Sequence, residues 1–213
     1  MPISHDRRRP CRTGSPSWPD LDMETAVPRE SERWHGQVSH FRNGPLEHQH
    51  YAIEFRNALL RNARADRQAH PERCWRATAG TSIFAEDSFL SLDFSVYRCP
   101  PNDYAQIDID SVDLVGQVIS IASDSCEIAD RRRRAAAAAI TWHWEVELAR
   151  DLRHIDRVTV SAMVRVDEVW PGLAPRQSEN YLPVAEWTPE QTPDGIRFDL
   201  PFPIQISWEE LAF

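Results

Sequence analysis

His48, His50 and Glu54 stand at a spacing where two imidazoles and a carboxylate can share a divalent metal. On a helix, His50 and Glu54 fall on one face at i, i+4, adequate for a pair of ligands. A second set, Asp108, Asp110 and Asp113, places three carboxylates within six residues. On a strand the first two share a face, the arrangement that holds magnesium in phosphoryl-transfer sites. A third set, His143, Glu145 and Glu147, recurs at every second residue and could ligate metal or act as acid and base. Each set also has a plainer reading, a polar helix end for the first and a solvated strand face for the others.

The stretch His48-Gln49-His50-Tyr51-Ala52-Ile53-Glu54 resembles the HxHxxxE core of the cupin family. That resemblance implies a jelly roll whose two histidines and glutamate bind a divalent metal. It covers seven residues, and the glycines flanking that core and the family's second histidine motif have no counterpart here.

Other chemistry is excluded by what the chain lacks. All 24 basic residues are arginine, against 33 acidic ones. Without lysine there is no P-loop lysine, no Schiff base and no Ser-Lys dyad. The seven glycines never cluster, so dinucleotide fingerprints and nucleophile elbows are absent. The net charge of -9 and pI near 5.4 argue against general attraction to phosphate backbones. The four cysteines, Cys11, Cys74, Cys99 and Cys126, form no CxxC pair and read as free thiols.

The elements that must position these residues follow from periodicity. Residues 1–44 are rich in proline, arginine and serine and read as a flexible arm, with Trp18 and Trp34 as docking aromatics. From Pro45, helix formers run to Pro71, and Ala52, Phe55, Leu59 and Ala63 make an apolar stripe; the spacing predicts an amphipathic helix over 46–70. Beyond residue 80 the period becomes two: Leu90, Leu92, Phe94 and Val96 alternate with Ser91, Asp93 and Ser95. Similar alternation marks 140–148 and 158–166. Residues 196–208 read as one long strand, and Pro201 and Pro203 place it at a sheet edge. The block Arg131–Arg134 with its alanine run reads as a short helix or link before the next strand.

The expected fold is therefore mainly β (α+β). It is an antiparallel β-sandwich or jelly-roll-like body spanning 45–213, with one amphipathic helix and the arm at 1–44. The expected function is a non-enzymatic protein-interaction or accessory module of a larger intracellular assembly, such as a defence, secretion or phage particle complex. Trp18, Trp34, Arg131, Arg132, Arg133 and Arg134 are its expected partner contacts. The alternative is a metal-dependent hydrolase or nuclease, with His48, His50, Glu54, Asp108 and Asp110 as candidate ligands. A capsid-like subunit is a second alternative. No cofactor, no membrane and no nucleic-acid partner are expected; protein partners are, with a homo-oligomer compatible, in the cytoplasm.

Overall fold

The computed structural model describes residues 29–34, 37–42, 45–85, 88–100, 106–120, 123, 125–151, 154–166 and 181–212. Trp18, Cys11 and the first 28 residues lie outside them. The described residues are mostly β, with a mixed sheet and two α-helices among them. None of the described helices is long and apolar enough to cross a membrane.

Helix α1 spans Leu46–Ala69. Pro45 stands at its N-cap and Pro71 follows its end, as the breakers predict. Phe55, Leu59 and Ala63 of the stripe are fully or almost fully buried, while Ile53 is half exposed on the opposite side. The strands are β1 (Arg29–Trp34), β2 (Gln37–Arg42), β3 (Trp75–Ala85), β4 (Ser88–Arg98), β5 (Ile107–Asp108) and β6 (Val112–Ile119). Helix α2 (Ser125–Ala137) then leads to β7 (Trp142–Asp151), β8 (His154–Arg165) and β9 (Tyr181–Trp187). A separate hairpin, β10 (Ile196–Phe198) and β11 (Ile204–Ile206), closes the chain.

In place of two facing sheets, β1 to β9 form one nine-stranded sheet. Its central path runs β2-β1-β4-β6-β7-β8-β9, with β3 on β4 and β5 on β3. The feature that departs from a sandwich or jelly roll is the parallel pairing of β6 with β7, Leu114 opposite Trp142 through Ile119 opposite Glu147. Parallel neighbours need a crossover, and α2 supplies it. The expectation failed because alternation shows only that a strand's two sides differ. It does not show whether the polar side meets water or a polar helix.

Three smaller expectations are also corrected. Residues 29–42, assigned to the flexible arm, form the β1/β2 hairpin, with Arg33 paired to Phe89 of β4. Trp34 packs, partly buried, against an apolar cluster that includes Ile83 and Leu90. The single long strand at 196–208 is broken at Asp199–Pro203, because a proline has no N–H to give a ladder. Cys74 and Cys99 are joined in a disulfide, so those thiols are not free. The β3/β4 register explains it: Trp75 lies opposite Arg98, which brings the next residues out, Cys74 and Cys99, to a Cα separation of 5.3 Å. Cys126 is disulfide-bonded as well.

The main core lies between α1, the sheet and the β10/β11 hairpin. Trp144 is fully buried, with rings of Phe55, Trp187 and Phe198 around it at centroid distances of 5.6–6.5 Å. Each such side chain contributes about 1.5–3 kcal/mol on leaving water. Asn62 fastens the hairpin to α1: its amide donates to the Gln205 carbonyl and accepts from the Gln205 N–H, both at 3.0 Å. A buried amide satisfied on both sides fixes the hairpin's position without desolvation cost.

Candidate active site at a strand fork

The polar partners of the alternating strands do not face water. On β4, Ser91, Asp93 and Ser95 are buried; so are Gln117 on β6 and His143 and Glu145 on β7. Register aligns them, since Phe94 pairs with Gly116 and Gln117 pairs with Glu145. A polar row thus crosses the middle of the sheet, and α2 lays arginines over it.

The row contains a gap. β4 pairs with β6 from Tyr97 back to Phe94, then with β1 at Phe89. Between those contacts the two strands part. The backbone N–H of Val118 is left without a ladder partner from β4, and the Asp93 side chain takes it, Oδ2 accepting at 2.7 Å. The other oxygen, Oδ1, accepts from His48 Nε2 at 3.0 Å and stands 3.8 Å from Arg131 Nη1. His48 comes from the first turn of α1 and Arg131 from the middle of α2, so both helices converge on one carboxylate.

Burial pushes the Asp93 carboxyl up. The His48 hydrogen bond, the charges of His48 and Arg131, and the Val118 N–H outweigh it and hold the carboxyl below the usual range. Nearby, burial opposes ionisation of Glu145 too, and His143 and Arg132 reverse it. Arg132 grips Glu145 Oε1 through Nε at 2.9 Å and Nη2 at 2.5 Å. His143 Nε2 is 3.6 Å from the same oxygen, an electrostatic contact longer than a hydrogen bond. Gln117 Oε1, between these carboxylates, is buried and accepts no hydrogen bond among the described residues.

Of the three sequence-derived metal sets, only His143 and Glu145 come together, and no set forms a metal-binding group. Burial raises the pKa of Glu147, which is close enough for the Glu145 charge to raise it too. His48 faces Asp93, His50 Nε2 meets the Ala212 carbonyl at 3.0 Å, and Glu54 accepts from Asn57. The cupin-like spacing lies on a helix, where successive turns send the three side chains to different neighbours. Asp108 ends β5 and Asp110 lies in the 3-10 turn after it, so the two do not share a strand face. Asp108 caps a 3-10 turn by accepting the Asp110 N–H at 3.0 Å, and Asp110 is exposed. Asp113 lies beside Arg98. Among the described residues no three His, Cys, Asp or Glu side chains converge to hold a metal ion. Asp93 is a poor ligand besides, since both oxygens already serve cations or an N–H.

The block Arg131–Arg134, expected to be a surface for partners, is mostly internal. Arg131 and Arg134 are buried, Arg132 is half-buried on Glu145, and only Arg133 is exposed. Arg134 and Arg133 both pair with Asp130. A helix crossing a polar sheet face needs charges of the opposite sign, which is why an arginine run sits here. Asp93 itself was legible only as one polar residue among several in β4.

No protein-family model matches the chain. No curated protein matches it by sequence. Among solved structures, the chain is similar to a protein of Anabaena variabilis described as a "putative nuclease belonging to DUF820". The identity is 16%, the TM-score 0.52, and the match covers 85% of this chain and 88% of that one, so the two share a fold.

Proposed function

We propose that this protein is a nuclease acting at the β4/β6 fork. The observation that carries the reading is the His48–Asp93–Arg131 cluster, placed where two strands part in a fold similar to that of a protein described as a nuclease. Asp93 accepts from His48 Nε2 and, with the Arg131 guanidinium, holds the ring as a fixed positive site at the fork. In phosphodiester hydrolysis a water oxygen bonds to phosphorus as the bond to the leaving oxygen breaks, and the water's proton passes to that oxygen. Arg131 offsets charge gathering on the phosphoryl oxygens. Among the described residues no donor set suits a metal ion, so the hydrolysis is carried without one.

This replaces the non-enzymatic accessory role and the absence of a nucleic-acid partner that the sequence led us to expect. Both rested on missing glycine and lysine motifs and on a net charge summed over the whole surface. Neither quantity reports a buried cluster made by three separate elements. The likeness to a nuclease fold counts against them.

The test is incubation of the full chain with labelled single-stranded DNA, duplex DNA and RNA, with and without chelator. Cleavage should persist in chelator and fall at least a hundredfold in His48→Ala, which removes a fixed positive group at the fork. No cleavage of any substrate, or cleavage that needs added metal and ignores His48→Ala, overturns the reading.

A further inference from the structure

Away from the fork, α1 and the start of β3 enclose an open groove of about 440 Å³. Arg56, Arg64 and Arg67 line it from α1 and Arg76 from β3, together with the half-buried aromatics Trp75 and Tyr97. No carboxylate lines it. Several arginines outside the groove are paired with acids, Arg61 with Glu210, Arg73 with Asp66 and Arg98 with Asp113. Arg64 and Arg67 are exposed and pair with no carboxylate among the described residues. Arg56 donates only to the neutral Asn57 side chain. Trp75 Nε1 is buried and has no acceptor among the described residues.

We infer that this groove is a binding site for the phosphodiester backbone of a single nucleic-acid strand, a second contact that holds substrate while the fork acts. The inference rests on the nucleic-acid reading above. The guanidinium groups of Arg56, Arg64 and Arg67 on one groove supply the charge that backbone binding needs, and flat aromatic side chains accept bases of any sequence. The positions are compatible with one strand touching both places. β4 carries Asp93 in the fork and Tyr97 in the groove, four residues or about 13 Å apart along an extended strand.

The experiment measures fluorescence anisotropy of a labelled oligothymidylate against the full chain in a His48→Gln background, at several salt concentrations. The expected result for R64A/R67A is weaker binding and a logarithmic salt slope shallower by about 1.4, the value for two lost contacts to a single strand. R64K/R67K should restore both. The inference is overturned if R64A/R67A and the charge-reversed R64E/R67E bind as the parent does. It is overturned equally if inorganic triphosphate displaces the oligonucleotide at matched phosphate concentration, which would mark a site for a small phosphorylated molecule. Cleavage lost in His48→Ala with an unchanged salt slope in R64A/R67A refutes the groove alone. A slope that falls as expected in a chain that cleaves nothing refutes the catalytic reading alone.

Discussion

Asp93 accepts the backbone N–H of Val118 at 2.7 Å, so a side chain completes the ladder where β4 leaves β6. The same carboxylate neutralises cations from both helices. Removing it therefore opens the sheet and strands buried charge in one step.

Asp93→Ala should lower the unfolding free energy by about 3–5 kcal/mol, the usual cost of leaving a buried partner charge uncompensated. Asp93→Asn keeps an acceptor for Val118 and should cost less than alanine. Urea denaturation at neutral pH measures both; equal costs for the two would mean that the backbone bond contributes nothing.

Acid should unfold the protein through these carboxylates. The folded-state pKa values of Asp93 and Glu145 are depressed, so their stabilisation is complete above the unfolded values, near 4. It is lost as pH falls below that range toward the folded values. Urea midpoints followed from pH 6 downward should decline below about 4, and the decline should flatten in Asp93→Asn. A midpoint insensitive to acid would refute the assignment.

Gly116 faces Phe94 across the β4/β6 pair, and a methyl group there would overlap the Phe94 ring. Phe94 in turn stacks on Phe55 of α1, centroids 5.1 Å apart, so it has little room to retreat. Gly116→Ala should cost about 1–3 kcal/mol. Adding Phe94→Leu to that variant should recover part of the loss, a coupling that a double-mutant cycle measures directly.

The Cys74–Cys99 disulfide closes a loop of 25 residues between β3 and β4. Replacing both cysteines with serine should lower stability by about 3 kcal/mol through a less constrained unfolded chain. Non-reducing mass spectrometry of the intact protein identifies the bond, and denaturation of the double variant measures its effect.

Helix α1 could be read from the chain because its evidence is local: a stripe at 3.6-residue spacing between two prolines. The strands at 90–96 and 140–148 announced themselves in the same way, by period two. What the chain by itself determined was which residues share a side. Tertiary structure decided what each side meets. The polar residues of β4, β6 and β7 follow the pattern of a wet face, yet α2 covers them and pairs their carboxylates with Arg131 and Arg132. In sequence His48 stands beside His50 and Glu54, but in the fold it bonds Asp93, 45 residues away. Spacing along one helix cannot report which strand passes its first turn. That depends on the parallel crossover and the parting of β4 from β6, which exist only once the sheet has closed.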